Sequence, residues 1–175
     1  MLQQLTITTD LLVIALSPKA KETILDEWTW LIGMEKRPLL VTACGDVFVE
    51  DLLDGTIHFL DVSAPELSPV IETREGFELL LTEPYFVTAY LYPERVKMFR
   101  DKGLLLKKDQ IYSWSIPLSL GGQISAENVD ITDVDVHFFV AGQIECQIAD
   151  VPVGTPISGI QIKKMPSKKS WWQFW

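Results

Sequence analysis

Thr42-Ala43-Cys44-Gly45-Asp46-Val47-Phe48-Val49-Glu50-Asp51-Leu52-Leu53-Asp54-Gly55-Thr56-Ile57-His58-Phe59-Leu60-Asp61 is the stretch on which the fold turns. Two apolar runs, rich in β-branched and aromatic residues, flank a short loop ending in Asp54-Gly55, the pattern of a β-hairpin. Both runs are apolar at nearly every position, so neither face is freely solvated. The hairpin therefore belongs at the centre of a sheet, covered on at least one side by helices. This is an architectural reading and carries no chemistry.

Upstream, residues 11–16 suit a short strand. Ser17-Pro18 then supplies a helix cap and a first-turn proline. Ala20, Ile24, Leu25, Trp28, Leu31 and Ile32 follow at helical spacing towards Gly33, which predicts one amphipathic helix with Trp28 in the core. Pro38 to Ala43 reads as a strand entering the hairpin. Downstream, Ser63-Ala64-Pro65 breaks the pattern, and a helix is expected from Ser68-Pro69 or from Thr73, burying Ile71, Phe77, Leu80 and Leu81. Thr82-Glu83-Pro84 opens a second helix, and Pro93 a third that ends at Gly103. Gln110 to Ile116 reads as a strand, with a turn at Gly121-Gly122. The alternation from Val134 to Ile148 predicts a half-exposed antiparallel strand pair bent at Ala141-Gly142. A last short strand is expected over Ile157 to Ile162.

The chain has 175 residues, 47% hydrophobic and 22% charged, enough for one sizeable core. One α+β domain over residues 1–175 is expected, mostly antiparallel with packed helices. A net charge of −9 argues against direct nucleic-acid binding, which needs Lys and Arg to neutralise phosphate. Cys44 and Cys146 lack metal or redox spacing and read as buried free thiols in a reducing compartment. The apolar run at residues 11–16 is too short for a secretion signal, so a cytoplasmic location is expected and a membrane partner is not.

From Pro93 to Val151 the sequence resembles the C-terminal domain of Tdi-type immunity proteins, which protect bacteria from their own type VI secretion DNase effectors. The resemblance is carried by Lys102-Gly103-Leu104, Gln110-Ile111-Tyr112-Ser113-Trp114 and Pro117-Leu118-Ser119-Leu120-Gly121-Gly122. Glu127-Asn128-Val129, Val136-His137-Phe138 and Gly142-Gln143-Ile144 complete it. Residues 28–61 look like the GAD-like region that commonly precedes that domain, and the hairpin is also similar to SUKH-type immunity proteins. The resemblance divides the chain into a GAD-like region at about 10–92, an immunity region at about 93–152 and a tail at 163–175. It implies a non-catalytic antagonist that binds a toxin, and it transfers no contact surface residue by residue. The tail has no counterpart in the family.

Charge suggests where a partner binds. Ten acids and one base, Arg74, lie between Leu39 and Tyr92, and six acids with no Lys or Arg lie between Ser119 and Asp150. Such a field steers onto a basic, nuclease-like cleft, whereas the bland alternative is a solvated acidic surface. Candidate partner-binding residues are Glu50, Asp51, Asp54, Glu127, Asp130 and Asp133. The basic, aromatic tail adds Trp171, Trp172 and Trp175, through a partner's surface or through self-association. Asp46 and Asp61, which flank the hairpin, and His137 are the residues an enzyme or metal protein would use. Turn capping and a structural histidine are the plainer uses, and no catalytic residue, cofactor or metal is expected.

Overall fold

The computed structural model describes residues 9–164. Five strands form an antiparallel sheet in chain order: β1 (Val13–Ile14), β2 (Lys36–Thr42), β3 (Val47–Asp51), β4 (Ile57–Asp61) and β5 (Glu66–Ile71). The hairpin strand β3 is central and pairs Val47 with Leu60 and Glu50 with Ile57 on β4. Its loop closes where Gly55 turns at φ 81° and the Asp54 carboxylate accepts the Thr56 N–H at 2.8 Å.

The continuous apolar run of β3 exists because both faces of the sheet are covered. Side chains alternate along a strand. Val47 and Val49 pack with Leu60, Trp28, Ile24 and Phe138 in one core, and Phe48 packs with Phe59, Phe77, Phe86, Leu91 and Phe99 in a second. The first core is roofed by α1 (Pro18–Thr23), a 3₁₀ turn at Asp26–Trp28, α2 (Thr29–Ile32) and part of α6 (Val134–Ile148). The second is roofed by α3 (Arg74–Leu80), α4 (Pro84–Leu91) and α5 (Pro93–Asp101). Phe48 centres an aromatic cluster, with ring centroids 4.8 Å from Phe59, 4.8 Å from Phe77 and 5.7 Å from Tyr90. Among the described residues no helix is long and apolar enough to cross a membrane.

Four expectations are corrected. The helix expected from Ser17 to Gly33 is broken into three pieces, although Ser17 caps it and Gly33 ends it as expected. It bends to follow α6: the buried Trp28 indole N–H donates to the Phe138 carbonyl at 3.0 Å, and the Glu27 backbone lies against Gly142. Ser68-Pro69 starts no helix but lies in the edge strand β5, where a proline is tolerated. Thr73 is the true cap of α3, accepting the Gly76 N–H at 3.2 Å. Thr73→Ala is expected to lower stability by about 1 kcal/mol, read as a shift in urea midpoint.

The third correction is the largest. Val134–Ile148 is the 15-residue helix α6 rather than two strands. Apolar residues four apart satisfy an alternating pattern and a helical one alike, which is why Val136, Val140 and Ile144 misled. Burial decides the matter: Val134, His137, Phe138, Gly142 and Glu145 are buried at spacings of three and four, one face of a helix. Cys146 is consequently exposed on α6, whereas Cys44 is buried. Fourth, residues 157–162 form no strand. Gln161 is held on α6, where the Gln147 amide accepts its N–H and donates to its carbonyl at 3.1 and 2.9 Å, serving as the ladder partner.

Candidate partner-binding face

A two-stranded antiparallel ribbon, β6 (Gln110–Trp114) and β7 (Val129–Asp133), stands beside the main sheet and feeds directly into α6. The β2–β3 turn anchors the ribbon, since the Tyr112 N–H donates to the Ala43 carbonyl at 2.8 Å. Ile111 points into the first core and Tyr112 into the second. The Trp114 indole donates to Ser63 Oγ at 3.0 Å, tying the ribbon to the turn after β4.

The loop between β6 and β7 explains the Gly-Gly and Asn residues of the sequence motif. Asn128 accepts the Ile116 N–H at 2.8 Å and donates to the carbonyls of Ile116 and Gln123, both at 2.9 Å. Gly121 turns at φ 89°, and a Cβ on Gly122 would lie 1.9 Å from the Ile116 carbonyl oxygen. Only a glycine lets the loop fold back so closely. Removing the clasp with Asn128→Ala is expected to cost about 1–2 kcal/mol in chemical unfolding and to raise amide exchange over residues 115–128.

Between the ribbon and α6 lies a cleft of about 380 Å³. Its apolar walls include Trp114, Val136, Val140 and Ile144, and its polar lining includes Ser113, Asp130, His137 and Glu145. The buried His137 ring is held at both nitrogens: Nε2 lies 3.0 Å from the Gly45 carbonyl and Nδ1 lies 2.9 Å from Ser113 Oγ. A carbonyl only accepts, so Nε2 carries the proton and Nδ1 accepts the serine hydroxyl. Burial pushes the His137 pKa down to about 4, against the smaller opposing pull of the Gly45 carbonyl. Glu145 is 3% exposed, and its Oε1 accepts the Ser119 hydroxyl at 2.6 Å. Burial raises the pKa of that carboxyl, and the Ser119 bond lowers it less.

The sequence-derived acids fall in two separate places. Glu50, Asp51 and Asp54 sit at the hairpin end of β3, about 13 Å of strand from the turn that carries the ribbon. There Glu50 pairs with Arg37 at 2.7 Å and Arg74 at 3.1 Å, and Asp51 pairs with Lys36 at 2.6 Å. The Lys36 bond holds the Asp51 carboxyl below its ordinary value. Glu127 pairs with Lys102 at 2.5 Å, which likewise lowers its pKa. Asp130 and Asp133 are exposed on β7. Among the described residues neither they nor Asp135 and Asp150 have an ion-pair partner. Trp171, Trp172 and Trp175 lie outside the described residues.

Asp46 and Asp61 both cap the turn after β4: Asp46 accepts the Val62 N–H at 2.9 Å, and Asp61 accepts those of Ser63 and Ala64 at 2.8 and 2.9 Å. Burial first, then the neighbouring Asp61 carboxylate, push the Asp46 pKa up to about 8. Among the described residues no three His, Cys, Asp or Glu side chains are grouped to hold a metal ion. The sequence reading missed Ser113 and Glu145, because a strand register puts His137 and Glu145 on the solvated side.

Comparison with known proteins finds a family match over part of the chain. Residues 71–145 match the model for T6SS immunity protein Tdi1, C-terminal, a range that runs from the end of β5 to Glu145. The crystal structure of Atu4351 from Agrobacterium tumefaciens is similar at 19% identity and a TM-score of 0.47, over 70% of this chain and 64% of that one. The chain thus spans less than two thirds of the length of that structure. No curated protein matches.

Proposed function

We propose that this chain, whose residues 71–145 match the model for T6SS immunity protein Tdi1, C-terminal, binds and neutralises a toxic effector of type VI secretion without catalysis of its own. The family match is the observation that carries this reading. All but two of the residues lining the cleft, Val62 and Ser63, lie within the matched range. The exposed Asp130 and Asp133 of β7, with half-buried Asp135 in the first turn of α6, favour a basic partner, such as a nuclease whose DNA-binding surface they would cover. The hairpin acids contribute less, because Arg37, Arg74 and Lys36 already compensate them. Asp46, Asp61 and His137 each have an internal hydrogen-bonding task, which supports a binding role over an enzymatic one.

The test is protection in a growth assay. Type VI effector toxins from cells that encode the chain are expressed in a susceptible host, with and without it. One effector should be lethal alone and harmless with the chain, and should co-purify with it. Failure to protect against any of them would overturn the reading. If neutralisation acts on a nuclease, DNA from the protected host stays intact, whereas degraded DNA in growing cells would contradict that part.

A further inference from the structure

We propose that the cleft between the β6–β7 ribbon and α6 receives one arginine or lysine side chain of a protein partner, its cationic head held by Glu145. This rests on the reading of the chain as a binding protein and specifies what the face grips.

Among the buried side-chain atoms of the residues lining the cleft, one acceptor is left unpartnered. Ser113 is committed to His137, Ser63 to the Trp114 indole and Ser119 to Glu145 Oε1. Both His137 nitrogens are used, so the ring contributes neither a charge nor a free donor. Glu145 Oε2 is buried and, among the described residues, has no hydrogen-bond partner. A buried carboxylate oxygen left in that state is costly, and a donor delivered from outside removes the cost.

The surroundings choose the kind of donor. No Lys or Arg lines the cleft, and Asp130 adds a second carboxylate, so an anion is repelled. Trp114, Val140 and Ile144 form apolar walls suited to a methylene stem, with the acid for its polar end. A long cationic side chain combines the two. Val136 of the lining is exposed, as is Ile116 between the lining residues Ser115 and Pro117, and the two give the backbone that carries it an apolar seat. The proposed partner is protein rather than a free amine because these two residues extend the contact beyond the cleft.

The probe is a short acetylated, amidated Gly-Arg-Gly peptide, titrated into the ¹⁵N-labelled full chain and followed by amide shifts. A citrulline peptide of the same shape without the charge, and agmatine, the free amine, are the comparisons. The proposal expects shifts at Trp114, Thr132, Val140 and Ile144, with the citrulline peptide at least about tenfold weaker, the loss of one charged contact. Glu145→Gln should weaken the arginine peptide similarly. Equal binding of arginine and citrulline peptides overturns the proposal, as does an absence of shifts in the cleft. Tighter binding of agmatine than of the peptide also overturns it, in favour of a small-molecule site. The wild-type comparison decides the question even if Glu145→Gln does not fold. None of these results bears on the growth assay, so the two readings fail separately.

Discussion

Gly45→Ala is expected to destabilise the protein by about 2–5 kcal/mol and to release His137 from its hydrogen bonds. Gly45 sits in the β2–β3 turn at φ 90°, a conformation that costs an L-residue about 1–2 kcal/mol. The added Cβ would meet His137 Nε2 at 2.7 Å and Ile111 Cδ1 at 2.9 Å, closer than real contacts allow. The imidazole must move, which breaks the Nε2–H bond to the Gly45 carbonyl and strands a buried donor, about 1–3 kcal/mol more. Urea unfolding gives the energy, and NMR titration of the imidazole gives the position. In the variant the His137 pKa should rise from about 4 towards the ordinary histidine range as water reaches the ring. An unchanged midpoint with an unchanged titration would show that the ring does not rest against Gly45.

The second large effect is a stability that declines above neutral pH. The native pKa of Asp46 is about 8 against an ordinary 3.8. Its folded value is raised, so the folded state holds a proton that the unfolded state has lost. Stability from this group is fully present below about pH 4, falls as pH rises towards 8, and then levels. The limiting slope for one proton is about 1.4 kcal/mol per pH unit. His137 works in the opposite sense: its folded pKa of about 4 lies below the ordinary 6.5, so stability is lost as pH falls from 6.5 towards 4. The two largely cancel between pH 4 and 6.5, which leaves Asp46 in control from 6.5 to 8. Unfolding free energy should therefore be nearly level from pH 4 to about 6 and drop by about 1–2 kcal/mol by pH 8. Asp46→Asn keeps an acceptor for the Val62 N–H and carries no charge, so its stability should be flat over that interval. A wild-type profile that rises from pH 6.5 to 8 would contradict the burial of Asp46.

The sheet was readable from residues because its centre is unambiguous. A hairpin apolar on both faces needs cover on both, and the two cores are that cover. Caps were readable for the same reason: Ser17, Thr73, Pro84 and Pro93 impose local geometry whatever surrounds them. α6 was not. Its valines and isoleucines stand four apart, and only the docking of Gly142 on Glu27 and of Phe138 on Trp28 selects the helix, contacts more than a hundred residues apart in sequence. The candidate face inherits that difficulty, since the cleft exists only once α6 is a helix. Counting charges likewise found the acids without finding their partners: Glu50 and Asp51 meet Arg37, Arg74 and Lys36 through sheet pairing and packing that spacing does not reveal.

The most direct test of the account is calorimetric titration of the neutralised effector's toxin domain with the full chain and with an Asp130→Lys/Asp133→Lys chain, each at low and high salt. Both positions are exposed on β7, so the variant should fold normally. The account predicts that wild-type binding weakens as salt rises, and that charge reversal weakens it by at least about tenfold, a loss of 1.4 kcal/mol or more. Binding that is indifferent to both the reversal and the salt would contradict it, and would place the toxin on another surface of the chain.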